Sequence, residues 1–317
     1  MPINGPASYL PTTDEFLSHW ALANTALGAA GPVTVLNGVT AAGLLAFRTQ
    51  LAVTRTAVEN VRNLREGARF DVDAAKAALL ARLNQFNQKI RSLAPESRWE
   101  TMLPKAYTVS EGQGKVLMAL DDLLSVWQQY EGAETDLSLL GGYNLPVFTT
   151  QLNALKTGFT ALSDADKKLA GKRGERTEIE NKIYPILKAY RQAIPAQFAE
   201  GTSILTTLPR LSPIPGVKVD PVQANGNFNA TTLNADLNWT ASTEPDLANY
   251  EVRGVAGPDY DTDDETVLVT LPPGSPRTYS TDFALATPGN IATYKVYVIL
   301  NSGNERGSNA VAVPRPV

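Results

Sequence analysis

The residues of this chain that come nearest to a chemical motif are carboxylates. Asp259-Tyr-Asp-Thr-Asp-Asp-Glu265 sets five acids among seven positions. Alternating aspartates open calcium-binding loops, because a hard divalent cation needs several oxygen ligands at once. Asp259, Asp261 and Asp263 are therefore candidate metal ligands, with calcium the candidate ion. An EF-hand loop starting at Asp259 requires glycine at its sixth position and a carboxylate at its twelfth. Asp264 and Thr270 stand there, so that motif is incomplete. The competing expectation for the same acids is a solvated hairpin tip.

Other chemistry is sparse. There is one histidine, His19, and no cysteine. Disulfides, thiolate metal sites and cysteine nucleophiles are excluded, and a histidine-based triad would have to use His19 itself. Its place next to Trp20 suits a surface or partly buried helix residue instead. The densest basic stretch, Lys167-Lys-Leu-Ala-Gly-Lys-Arg-Gly-Glu-Arg176, lacks the Gly-Lys-Ser/Thr of a phosphate-binding loop. An exposed connection between helices is expected there. No residue set frames a catalytic centre or a cofactor site, and a non-enzymatic protein is expected.

The bulk charge narrows the partners. Lys and Arg number 28 against 32 Asp and Glu, for a net charge of −4. A general nucleic-acid binder needs a basic surplus, so none is expected. Residues 16–47 contain no Asp, Glu, Lys or Arg, but Asn24, Pro32, Asn37, Gly38 and Thr40 interrupt them. No clean apolar run long enough to span a bilayer results. A buried helix pair is expected, or failing that an apolar surface used for assembly. Arg48 is the first basic residue, so no intact secretory signal is expected at the N-terminus. Either a cell-surface or a cytoplasmic location fits.

These residues must be carried by two kinds of element. Up to about residue 208 the apolar spacing is helical. Over residues 40–65, Leu44, Phe47, Leu51, Val58 and Val61 fall on one heptad stripe, with Thr54 in the remaining place. Leu145, Phe148, Leu152, Leu155, Phe159 and Leu162 repeat that spacing 101 positions later, and Phe47-Arg-Thr-Gln-Leu51 resembles Phe148-Thr-Thr-Gln-Leu152. Leu79, Leu83, Phe86 and Ile90 pair likewise with Ile179, Ile183, Ile186 and Tyr190, and Arg91 and Pro95 with Arg191 and Pro195. Asp14-Glu-Phe-Leu-Ser-His-Trp20 pairs with Asp121-Asp-Leu-Leu-Ser-Val-Trp127. The spacing predicts two copies of a three-helix unit, over 13–104 and 116–209, resembling a six-helix bundle. Gly67, Gly171 and Gly174 are expected to end the second helix of each copy, and Pro185 to kink the third. Trp20, Trp127, Tyr130 and Tyr190 lie on the stripes and are expected in the core.

A proline-rich linker at 210–216 then separates the helices from a region of period two. Over 217–315, Leu233, Ala235, Leu237 and Trp239 alternate, as do Tyr294, Val296 and Val298, with turn residues between such runs. Leu237-Asn-Trp-Thr-Ala-Ser-Thr-Glu-Pro-Asp-Leu-Ala-Asn-Tyr-Glu-Val252 and Thr287-Pro-Gly-Asn-Ile-Ala-Thr-Tyr-Lys-Val-Tyr-Val298 resemble strand passages of fibronectin type III domains. The resemblance covers about 213–315 and departs from the family's pattern near 257–278. It implies a β-sandwich with Trp239 and Tyr250 in its core and Tyr294 as the corner tyrosine. It does not imply a ligand, since that fold hosts adhesion, spacing and scaffolding alike.

The fold class expected is therefore α followed by all-β. The function expected is a structural or assembly protein, a helical body displaying a sandwich, with protein partners or further copies of itself. The rival expectation is a surface module whose sandwich loops hold a carbohydrate or a protein, using aromatics near Tyr260 and Tyr279.

Overall fold

The computed structural model describes residues 2–316. Helices occupy the first two-thirds: α1 (Tyr9–Leu27), α2 (Ala41–Leu93), α3 (Arg98–Thr101), α4 (Gln113–Ala133), α5 (Leu145–Gln197) and α6 (Ser203–Thr206). Eight strands follow: β1 (Ala224–Asn229), β2 (Asn234–Trp239), β3 (Leu247–Ala256), β4 (Thr266–Leu271), β5 (Thr278–Thr281), β6 (Ile291–Leu300), β7 (Glu305–Gly307) and β8 (Val311–Pro314). The order is α, then β.

The helices differ from the sequence expectation in one main respect. The segments expected as separate second and third helices are single helices of 53 residues, α2 and α5. Gly67, Gly171 and Gly174 lie inside them, and α5 runs through Pro185 and Pro195 without a break. An interior glycine costs only about 1 kcal/mol relative to alanine, which packing of the flanking turns outweighs. Between Val58 and Leu79 the buried residues of α2 include Arg62 and Lys76, and the middle of α5 buries Arg176 and Glu180. A polar interruption of an apolar stripe reads as a helix end when its partners are unknown.

The chain divides into two compact units, one of residues 1–63 and 169–317, the other of residues 64–168. These limits differ from a division into 13–104 and 116–209, because each long helix contributes one part to each unit. In the first unit, Phe16, Trp20 and Ala23 of α1 close a core with Leu44 and Leu51 of α2 and with Ile183, Leu187, Tyr190 and Ile194 of α5. In the second, α4 supplies Leu120, Leu123 and Trp127, α2 supplies Leu79, Leu83, Phe86 and Ile90, and α5 supplies Phe148, Leu152 and Leu155. Trp20, Trp127, Tyr130 and Tyr190 are all buried.

The turns that precede the long helices have similar construction. Val35 bridges Val39 around Leu36, Asn37 and Gly38, all at positive φ, and Leu139 bridges Tyr143 around the positive-φ pair Gly141 and Gly142. Trp20 Nε1 donates to the Val33 carbonyl at 3.1 Å, and Asn24 Oδ1 accepts from the Val33 amide at 2.8 Å. In the other turn Glu131 does both jobs, accepting from Trp127 Nε1 at 2.8 Å and from the Leu137 amide at 3.0 Å. The bridges and the helix starts lie 104 positions apart (139 less 35, and 145 less 41). The identities near Phe47 and Phe148 are 101 apart. A slip of three residues keeps an apolar stripe in phase, so residue matching could not separate the two registers.

The strands form two antiparallel sheets, β1-β2-β5 and β4-β3-β6-β7, with β8 also paired to β6. Their facing sides enclose Ala235, Leu237, Trp239, Tyr250, Val252, Tyr294, Val296, Val298 and Val313. The Tyr294 hydroxyl donates to the Phe283 carbonyl at 3.0 Å, and the Tyr250 hydroxyl accepts from the Ser242 amide at 2.8 Å. Among the described residues, no helix is long and apolar enough to cross a membrane.

The segment at 210–216 is tied down rather than free. Ile3 N donates to the Leu211 carbonyl at 3.0 Å, and Asn304 holds Ile214 through both its amide oxygen and nitrogen. Gly303, at φ +82°, lies under the Pro2 ring with no room for a Cβ. A Cβ at Gly67 or Gly171 would meet nothing within 4 Å. Gly67→Ala and Gly171→Ala are therefore expected each to raise stability by about 0.5–1 kcal/mol. Gly303→Ala should lower it, and urea denaturation of the three variants distinguishes the signs.

Candidate functional site

The most built part of the molecule is ionic and lies in the first unit, where the outer face of one sheet meets α2 and α5. It begins with strand alternation. Tyr250 and Val252 of β3 point into the sandwich core, so Glu251 and Arg253 point out of it. A β-bulge occurs here: Val252 pairs with Val269 and Arg253 with Val267, which leaves Leu268 of β4 as the extra residue.

Arg253 is only 2% exposed, a severe position for a guanidinium. Three carboxylates compensate it. Its Nε donates to Glu251 at 2.9 Å, Nη1 to Glu265 at 2.7 Å, and Nη2 to Glu305 at 2.6 Å. The guanidinium carbon also lies 3.9 Å from the centre of the Tyr297 ring. The excess acid is balanced by phenols: Tyr260 and Tyr297 each donate to Glu265 Oε2 at 2.8 Å. Burial, followed by the Glu265 charge, pushes both phenols well above the ordinary tyrosine range. The Arg253 guanidinium is held above its ordinary value: burial opposes this most, and the bond to Glu305 together with the three carboxylate charges prevails.

A second layer joins this hub to the helices. Arg55 donates from Nη2 to the Glu265 carbonyl at 3.3 Å and from Nη1 to the Ala7 carbonyl at 3.2 Å. Arg62 reaches the Asp264 carbonyl and sets its Nε 3.4 Å from the Asp264 carboxylate, with both side chains 3% exposed. Arg173 donates to Asp264 and, at 3.0 Å, to Asp261. Arg176 donates to the Asp263 carbonyl. Burial and then the neighbouring Arg176 charge lower Arg55 from its usual value, whereas Arg173 is raised first by its bond to Asp264. Burial pushes the Glu59 and Glu180 carboxyls above the usual carboxylate range. A cleft of about 660 Å³ opens beside this seam, with Ala52, Arg55, Glu59, Glu251, Thr266 and Val267 among its walls.

The sequence expectations are met unevenly. Of the candidate metal ligands, Asp259 is exposed, Asp261 carries Arg173, and Asp263 offers its carbonyl to Arg176. Among the described residues, no group of three or more His, Cys, Asp or Glu is arranged to hold a metal ion. A solvated hairpin tip is wrong for the end of this run, since Asp264 and Glu265 are buried. The basic stretch at 167–176 is likewise not an exposed connection: it is a helical part of α5, and Arg173 and Arg176 meet the acids. Tyr260 is committed to Glu265 and Tyr279 donates to the Leu268 carbonyl at 3.4 Å, so neither hydroxyl is free. His19 is buried between Tyr190 and Ile204. A carbonyl only accepts, so Nε2 donates to Ile204 at 2.8 Å and Nδ1 takes the Tyr190 hydroxyl at 2.7 Å. Arg253 and Arg62 carry no local signal in the sequence: Arg253 falls on the outward face of β3 and Arg62 lies beside the stripe residue Val61.

No family model matches the sequence, and no curated protein matches it. Solved structures resemble part of it. Pectate lyase PelI from Erwinia chrysanthemi, in complex with tetragalacturonic acid, is 22% identical over 29% of this chain and 28% of its own, with a TM-score of 0.25. This chain thus spans little more than a quarter of that enzyme's length. An Fn3-like protein from Clostridium thermocellum is 19% identical over 32% of this chain and 94% of its own, at a TM-score of 0.23. The chicken CNTN1 FN1–FN3 domains are 13% identical over 32% of this chain and 33% of theirs, at 0.27.

Two outcomes follow from the electrostatics. Removing one partner of a buried ion pair strands the other, so Asp264→Ala should cost about 3–5 kcal/mol in urea denaturation. Glu180 has a folded-state pKa above its unfolded value. The native state then binds its proton first, and this residue's contribution to stability grows as pH falls through the raised pKa and levels off below the ordinary carboxylate range. Glu180→Gln should lack that gain on acidification, as melting temperatures across pH 4–8 will show.

Proposed function

We propose that this is a non-enzymatic structural or assembly protein in which a helical body displays a β-sandwich of the fibronectin type III kind. The observation that carries the proposal is the partly buried seam of Arg55, Arg62, Arg173 and Arg176 against residues 261–265, in which Arg62, Arg176, Asp264 and Glu265 are buried. Such a seam spends one outer face of the sandwich on fixing its attitude to the helices. A fixed attitude is what a spacer or a displayed module requires, and a tethered binding domain would not need it. Support for the sandwich type comes from its two antiparallel sheets, from Trp239 packed 6.0 Å from Tyr250, and from the Tyr294 tie to the Phe283 carbonyl.

The proposal extends to the helices. The paired turns and the 53-residue helices support an ancestral duplication, in which each copy lends part of its long helix to the other's core. Leu36 and Leu140 are the exposed aliphatics at the two turns, and they are the proposed points of self-association.

Light scattering coupled to size exclusion on the full chain, with and without calcium, tests this reading. Assembly that grows with protein concentration and is weakened by a Leu36→Asn/Leu140→Asn double variant is the expected result. A monomer at every concentration would end the self-assembly reading.

A further inference from the structure

A second, smaller pocket lies away from the seam, still within the first unit. Its volume is about 380 Å³, and its walls are Tyr184, Lys188, Arg191 and Gln192 of α5 with Leu211 and Ser212 of the segment after α6. The four α5 residues recur at helical spacing and so share one face. Two of them are cations, and no carboxylate lines the pocket.

In the same unit Arg48 faces Asp14, Arg173 faces Asp261, Arg176 faces Glu180, and Arg253 faces three glutamates. Among the described residues Arg191 has no such partner, and its Nε, like those of Arg62 and Arg176, is shut off from water and without a hydrogen bond. In the register of the helix starts, 104 residues apart, the corresponding position of α2 is Asn87 rather than the Arg91 paired with it by residue type, and Asn87 Nδ2 donates to the Pro104 carbonyl at 2.9 Å. There the side chain ties down the segment that follows the long helix. In α5 a cation stands in its place and lines the pocket. A buried N–H left unpaired is costly, and native structures rarely tolerate it.

We propose that this pocket binds a small oxyanion. Arg191 offers the planar fork that matches a carboxylate or a phosphate with two parallel hydrogen bonds. Lys188 adds charge at the mouth. Tyr184, Ser212 and the Gln192 amide supply neutral donors to the remaining oxygens. A cation would face two like charges here. The inference does not depend on the self-association of the chain. It carries a positive site on a protein whose net charge is −4, so bulk charge does not account for it.

The test is NMR observation of the Arg191 Nε–H, assigned by its loss in Arg191→Lys, on the full chain. Sodium phosphate and sodium acetate are titrated separately, each against sodium chloride at matched ionic strength. The expected result is a saturable shift with an apparent Kd of about millimolar or tighter. Affinity should fall about tenfold or more in Arg191→Gln, and by a smaller factor in Lys188→Gln, with unchanged circular dichroism in both. Saturation by phosphate alone identifies a phosphate ligand, saturation by acetate alone a carboxylate, and saturation by both a general oxyanion site. A linear shift equal to that of chloride overturns the proposal, as does unaltered binding in Arg191→Gln.

Discussion

Charge removed from water has to be answered by charge, and the first unit is organised by that requirement. Arg253, Arg62 and Asp264 are each nearly closed to solvent. The cost of leaving any of them unpaired is a large fraction of what a domain has to spare. Each is therefore tolerable only while its partners are held at hydrogen-bond distance. Those partners come from far along the chain: Glu305 for Arg253, Arg62 and Arg173 for Asp264. The result is a sandwich held to its helices by geometry that hydrophobic contact alone would leave free to slide.

The sandwich is adapted to that demand. Its bulge at Leu268 shifts the pairing of β3 and β4 just where Arg253 meets Glu265. Its tyrosines do not form an open aromatic surface, because Tyr260 and Tyr297 direct their hydroxyls to Glu265. The helices are adapted too. Arg176 occupies a place in α5 where an apolar side chain would continue the stripe, and Arg62 is buried beside the stripe residue Val61 in α2. Polar residues in the middle of each long helix thus mark where, within the first unit, the helices meet the sandwich, and apolar stretches on either side of them build two separate cores.

Much of this was legible in the chain. The apolar spacing around Leu44 and Leu51, and around Leu152 and Leu155, announced helices with one buried face. The alternation through Leu237 and Trp239, and through Tyr294 and Val296, announced strands. β1, Ala224–Asn229, carries four polar or glycine residues among its six and gave no such signal; it is a strand because β2 pairs with its full length. Helix boundaries were the weakest point. Gly67, Gly171 and Gly174 look like terminators only while the neighbouring turns are treated as unpacked.

The chain by itself determined what periodicity and residue type can determine: helices first, strands after, tryptophans and tyrosines inside, and no thiol chemistry at all. Those properties are local, set within a few residues by the 3.6 and 2.0 periods of the backbone and by side-chain size. Tertiary structure alone decided that the broken stripes were single helices, that each long helix serves two cores, and that the acids at 261–265 face arginines rather than water. These depend on partners scores to hundreds of residues away. A charge carries no mark in sequence of which opposite charge will neutralise it.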